Sequence, residues 1–181
     1  LVRRENQDAY AVESRNGFDI CVVCDGMGGA AAGKLASEIA VRAYREALGE
    51  TLTEDMDLDA VQAAMAAAAS QANRAIREEA ARKPEYAGMG TTLVSAEGIQ
   101  RITRDHSLVE SMVERGDITE EEARRHPNRN LITRALGTDE TVESDGYRTT
   151  LSEGEYLLLC TDGLTITVTD QEMLFEIVHG G

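Results

Sequence analysis

The dipeptide Asn16-Gly17, set between two stretches of strand-like residues, constrains this chain more than any other feature. Both residues tolerate positive φ, so the pair is the strongest short-range signal for a two-residue hairpin turn. With Arg15 paired to Phe18, opposed positions sum to 33 and Asp8 falls directly across from Asp25. Carboxylates in that relation stand about 5 Å apart between Cβ atoms and repel, so a cation or a proton is needed to offset them. The pairing is therefore read as a metal site. Asp25-Gly26 also closes the apolar run from Phe18 to Cys24, and a second run, Tyr156 to Cys160, leads to a matching Asp162-Gly163.

A chain of 181 residues that is 42% hydrophobic fits one domain with a sizeable core. Aromatics make up only 4% and Trp is absent, so aliphatic and Ala side chains must do the packing. The net charge of −15 disfavours a backbone-tracking nucleic-acid binder and an anionic membrane surface, and it suits a protein that attracts divalent cations. Most of the acids still serve solubility alone. Three cysteines, with no signal-like or membrane-length apolar segment, point to a soluble protein in a reducing, cytoplasmic compartment. Cys21 and Cys24 have C-x-x-C spacing, but on a strand residues three apart face opposite sides, and both read as buried small hydrophobes.

Strands are expected over Asp8 to Ser14 and Phe18 to Cys24. A helix follows over Gly33 to Leu48 with Leu35, Ile39, Ala43 and Ala47 on its inner face. A longer helix spans about Asp57 to Arg82, striped by Leu58, Val61, Met65, Ala69, Ala72 and Ile76, and Pro84 closes it. Its Ala content suggests close packing against another helix. Gly88-Met89-Gly90 precedes a strand from Thr91 to Ala96, with Ile99 to Thr103 as a possible hairpin partner. Short helices are expected over Ser107 to Glu114 and Thr119 to Arg125, the second opened by a capping box of Thr119 and Glu122. Strands at Val142 to Leu151 and Glu155 to Cys160 and a last helix capped by Asp170 and running to Val178 complete an α+β order.

The stretch from Asp25 to Lys34 imitates two nucleotide motifs. Gly28 through Lys34 matches G-x-x-x-x-G-K, but Leu35 stands where a P-loop places a hydroxyl on magnesium. Gly26, Gly28 and Ala31 match G-x-G-x-x-A, yet the preceding strand belongs to an antiparallel hairpin and not to a βαβ unit. What the glycines supply is freedom for the Gly26 carbonyl to approach an ion bound by Asp25.

Six segments in order resemble the metal-dependent serine/threonine protein phosphatases of the PPM (type 2C) family in their bacterial form. They are Arg3-Arg4-Glu5-Asn6-Gln7-Asp8, Asp25-Gly26-Met27-Gly28-Gly29, Gly88-Met89-Gly90-Thr91-Thr92, Asp105-His106-Ser107, Ile132-Thr133-Arg134-Ala135-Leu136-Gly137 and Thr161-Asp162-Gly163-Leu164. The resemblance covers nearly the whole chain. It implies a sandwich of two antiparallel β-sheets flanked by pairs of antiparallel helices. It also implies that Asp25 bridges two Mg²⁺ or Mn²⁺ ions, that Gly26 adds its carbonyl, that Asp162 binds the other ion and that Asp8 holds metal-bound water. Gln7 stands where some relatives have an acidic second-site ligand. Arg3 corresponds to the phosphate-binding catalytic arginine, with Arg4 as its stand-in should the register slip. Asp105 and His106 take a supporting role, and Gly116 to Asn130 corresponds to a flap that helps choose substrates.

Two divalent ions about 3.5 to 4 Å apart make a bridging hydroxide available at neutral pH for in-line attack on phosphorus. No protein nucleophile is then required, in keeping with the absence of any Cys-x5-Arg signature. The implied partners are phosphoproteins, a serine/threonine kinase and its substrates among them. Departures from the pattern accompany the match. Ala96 runs into Glu97-Gly98 where the family has a Gly-Asp-Ser-Arg segment serving a third metal, and the chain ends at Gly180-Gly181 where the family continues to Asp-Asn. A single phosphatase domain over 1–181 is thus expected, lacking the first strand and those two segments, with weaker metal affinity and unpaired sheet edges as the consequence. Alternative readings are an inactive phosphatase-fold binding or regulatory module, a nucleotide binder built on Gly26 to Lys34, and a structural calcium-binding domain, the last lacking any D-x-D-x-D-G string.

Overall fold

Asn16 and Gly17 both take positive φ, 53° and 78°, and the strands they join pair in the expected register. The computed structural model describes residues 6–91, 103–165 and 167–179. In it β1 (Asp8–Arg15) runs antiparallel to β2 (Phe18–Met27), with Arg15 opposite Phe18 and Asp8 opposite Asp25. The Asn16 amide donates to the Leu52 carbonyl at 2.8 Å, so the turn that sets the register also ties the hairpin to the end of the first helix. A two-residue β3 (Gly90–Thr91) adds to the other edge of β2, giving the order β1-β2-β3.

Two long helices cover this sheet. The first, α1 (Ala30–Thr51), packs on β2 and β1, and α2 (Leu58–Arg82) returns along α1 after a short connection. Asp57 caps α2 by accepting from the Ala60 amide at 2.8 Å. The buried side of α1 is set by Ala32, Ala36, Ala40, Tyr44 and Leu48, joined by Ile39 and Ala47, whereas Leu35 and Ala43 are only partly buried. The expected stripe is rotated because α1 is covered on two sides, by the sheet and by α2, and its many alanines leave the apolar period ambiguous. In α2 the buried set is Ala64, Ala68, Ala69, Ala72, Asn73 and Ile76, and Leu58 is exposed. Both helices bury alanines and pack on each other, and side chains that small permit a close approach of the axes.

Buried Asn73 ties the core to a following loop. Its Oδ1 accepts from the Gly137 amide at 2.6 Å, and its Nδ2 donates to the carbonyls of Asp139 at 3.2 Å and Glu140 at 3.4 Å. Thr91 and Leu136 exchange backbone hydrogen bonds beside it. Asn73→Ala strands these buried groups, so a loss of ~3 kcal/mol is expected, read as a fall in Tm of ~6–12 °C on thermal denaturation.

A single 3₁₀ turn at Pro84–Tyr86 ends the long helix. Beyond it, α3 (Leu108–Glu114) is capped by Ser107, and α4 (Glu120–Arg125) carries the expected capping box between Thr119 and Glu122. A four-residue α5 (Asp162–Thr165), not foreseen from the sequence, precedes α6 (Asp170–His179). The cap of α6 is Thr169, not Asp170: the Thr169 hydroxyl accepts from the Glu172 amide at 3.3 Å while the Glu172 carboxylate accepts the Thr169 amide at 2.8 Å. The strands expected at Val142 to Leu151 and Glu155 to Cys160 are not strands. A ladder needs a partner, and among the described residues none pairs with 142–160; Arg148 instead reaches α2, bonding Asp59 and Gln62. Of the strand expected from Thr91 to Ala96 and its hairpin partner from Ile99 to Thr103, all but Thr91 and Thr103 lies outside the described residues.

Candidate metal centre

Hairpin register and chain ends together assemble the site. Asp8 and Asp25 face each other across the β1-β2 pair, and the Thr161 hydroxyl donates to Asp8 Oδ2 at 3.0 Å, which brings Asp162 to the same place. Burial raises the Asp25 carboxyl from 3.8 to about 7, and Asp162 and Asp8, both close enough to share its proton, add to the rise. Asp8 and Asp162 thus both lie near Asp25. Two backbone-level supports hold Asp25: the Thr91 hydroxyl donates to its carbonyl at 2.8 Å, and the next residue's amide, Gly26, donates to the Gln7 carbonyl at 3.2 Å.

Gly26 lies where β2 meets α1. A Cβ there would overlap the Gly33 carbonyl and stand 2.8 Å from the Gln7 carbonyl, and one on Gly33 would stand 2.9 Å from the Gly26 carbonyl. Ser37 completes the junction by donating to the Gln7 carbonyl at 2.6 Å. Gly33 and Lys34 lie inside α1 and not in a loop, and β2 belongs to an antiparallel hairpin, so neither nucleotide motif has its required setting.

The donor set is hard oxygen, which suits Mg²⁺ or Mn²⁺ better than softer ions. Among the described residues no group of three or more His, Cys, Asp or Glu side chains stands in an arrangement that could by itself hold a metal ion. Backbone carbonyls and solvent would therefore have to supply part of the coordination, as Mg²⁺ usually demands. The like charges gathered at Asp25 and the hard donors around it fit a divalent cation.

Asp105 lies close enough to Cys160 to raise its thiol along with burial, which brings it to the segment leading into Asp162. His106 Nε2 meets Asp145 at 2.8 Å, and Arg134 donates to the other oxygen of Asp145 at 2.9 Å; these bonds hold the Asp145 carboxyl below its ordinary range. Cys24 is fully buried and Cys21 partly so, on opposite faces of β2. Arg3, expected to bind phosphate, and its neighbour Arg4 lie outside the described residues. Sequence reasoning missed the roles of Thr161 and Thr91. Thr161 stood in view beside Asp162, but only the fold reveals that its hydroxyl reaches residue 8.

Comparison with known proteins gives a consistent answer. The family model for protein phosphatase 2C matches residues 3–179. The serine/threonine phosphatase stp of Listeria monocytogenes is 34% identical over 195 residues, covering 95% of this chain and 77% of that one. The structure of the S. agalactiae serine/threonine phosphatase superposes with a TM-score of 0.87 at 29% identity, covering 100% of this chain and 83% of that one. The catalytic domain of the phosphatase PstP, solved with two manganese ions, gives a TM-score of 0.73 at 30% identity, with 96% and 78% covered.

Proposed function

The chain belongs to the protein phosphatase 2C family, and from that premise we propose that Asp8, Asp25 and Asp162, with the Gly26 carbonyl, hold the divalent cations of a metal-dependent protein-serine/threonine phosphatase. The observation that carries the reading is the placement of Asp8 opposite Asp25, with the segment of Asp162 tied to Asp8 through Thr161, so that burial and both neighbours push the Asp25 carboxyl up. Such a group gains more from a nearby cation than an exposed aspartate does.

Bound divalent ions would supply a solvent nucleophile at neutral pH and positive charge for the phosphoryl oxygens. Everything else falls to the chain. Asp25 presents charge at the centre, Asp8 and Asp162 flank it, and Gly26, lacking a side chain, leaves its carbonyl free to approach. Arg3 is proposed to grip two phosphoryl oxygens with its planar fork and to stabilise the charge that builds as the phosphoester breaks. Cysteine chemistry is disfavoured: the Cys24 thiol is buried and pushed up to about 12, so it holds its proton at neutral pH, and Cys160 is raised as well.

We take the ions to be Mg²⁺ or Mn²⁺, two or three in number, a reading supported by the oxygen donors and by the two manganese ions of PstP. We take the substrates to be phosphoproteins, a serine/threonine kinase and its targets among them, in the cytoplasm. No described helix is long and apolar enough to cross a membrane, and the net charge of −15 disfavours nucleic acid and anionic lipid as partners. The test is hydrolysis of a phosphothreonine peptide before and after chelation. Turnover should vanish on metal removal and return with Mn²⁺; equal turnover without metal, or none with it, refutes the reading.

A further inference from the structure

Thr161 precedes α5, and its hydroxyl spans 153 positions of sequence to donate to Asp8 Oδ2 at 3.0 Å. That contact is half-buried, and the same peptide carries Asp162, the strongest charged influence on Asp25. Asp8 is braced from its own side too, its amide donating to Asn6 Oδ1 at 3.0 Å. Without a donor on Oδ2, a carboxylate facing Asp25 relieves repulsion by rotating away. A threonine suits the task because its β-branch restricts χ1 and so fixes where the hydroxyl points.

We propose that Thr161 is a positioning residue of the metal centre: its hydroxyl aims the Asp8 carboxylate and docks the Asp162 segment against the hairpin. It touches no reacting atom and acts through Asp8. The inference rests on the reading of Asp8, Asp25 and Asp162 as the cation site. Groups that orient ligands in this way typically change metal affinity 10- to 100-fold when removed, so Thr161→Val is expected to weaken Mn²⁺ binding by roughly that factor.

The experiment is a titration of Mn²⁺ into the full chain, followed by electron paramagnetic resonance of the free ion, for wild type, Thr161→Val, Thr161→Ala, Thr161→Ser, Asp25→Asn and Asp8→Ala, with circular dichroism to check folding. Val and Ala should each weaken Mn²⁺ binding at least ~10-fold, and Ser should stay within ~3-fold of wild type. At saturating Mn²⁺ the Val variant should recover most of kcat. Adding Thr161→Val to Asp8→Ala should change affinity little further, since the hydroxyl then has no carboxylate to aim. Wild-type affinity in folded Val and Ala variants, or an equal loss in Ser, overturns the positioning role. If Asp25→Asn also binds Mn²⁺ like wild type, the cation site itself is misplaced and both readings fall.

Discussion

Replacing Asp25 with Asn is expected to abolish phosphatase turnover, by at least ~100-fold at any practical Mn²⁺ concentration, while making the metal-free protein more stable. The two effects share one cause. Folding brings the Asp25 carboxylate beside Asp8 and Asp162 and partly strips it of water, which is why its carboxyl is pushed up to about 7. Taken at face value, the rise from 3.8 corresponds to ~4 kcal/mol. The group is only half-buried, and screening by solvent reduces the figure to ~2 kcal/mol. Asn keeps the shape and removes the charge. A Tm gain of ~4–8 °C at pH 7.5 without metal, together with lost turnover, is the expected pair of results. A variant that is less stable than wild type at that pH, or that still turns over, contradicts it.

The sign of the pH dependence follows from the same shift. A carboxyl whose folded value lies above its unfolded one binds more protons in the native state, so its folded form is favoured below about pH 4 and loses ground as pH rises to about 7. Metal-free wild type should therefore lose this contribution across that window, and Asp25→Asn should not. Mn²⁺ competes with the proton, so its stabilising effect should be larger at pH 7.5 than at pH 5. Thermal melts at the two values, with and without chelator, measure both differences.

What could be read in the sequence was local. The turn at Asn16-Gly17 fixed the pairing of β1 with β2, and pairing is arithmetic once a turn is known, so Asp8 and Asp25 met where expected. Capping chemistry is equally local: the box at Thr119 appeared as written, while the cap of α6 fell one residue earlier than expected, on Thr169. Where several solutions share one pattern, the sequence was ambiguous. An Ala-rich helix hides which face is innermost, so the stripe of α1 came out rotated, whereas that of α2 kept Ala69, Ala72 and Ile76 buried and lost Leu58 to the surface. Strands are expected over Val142 to Leu151 and Glu155 to Cys160, yet strand formation depends on a partner elsewhere in the chain, and Arg148 and Asn73 instead tether this neighbourhood to α2. Contacts across long separations, such as Thr161 to Asp8 or Arg134 and His106 to Asp145, carry no local signature.

Gly26→Ala should be the most damaging single-methyl change near the site. Other glycines offer a contrast: Gly29 and Gly116 adopt positive φ, 88° and 75°, but have nothing within 4 Å of where a Cβ would stand. Alanine at those two pays only for left-handed backbone, ~1–2 kcal/mol. At Gly26 the obstacle is backbone on both sides, the Gly33 carbonyl in the first turns of α1 and the Gln7 carbonyl 2.8 Å away, and neither can rotate aside. Relief requires α1 to lift from β2, which also strains the Ser37 hydrogen bond to Gln7 and displaces Asp25 from Asp8. Overpacking of this kind sits at the upper end of its range, ~3 kcal/mol, or a Tm lower by ~6–12 °C in a domain of this size. Because the displaced strand end carries Asp25, Mn²⁺ affinity should fall together with Tm in Gly26→Ala but not in Gly116→Ala. Equal melting temperatures for those two variants would show that β2 and α1 do not meet backbone to backbone, and the account of how this junction seats the cation site would then have to be given up.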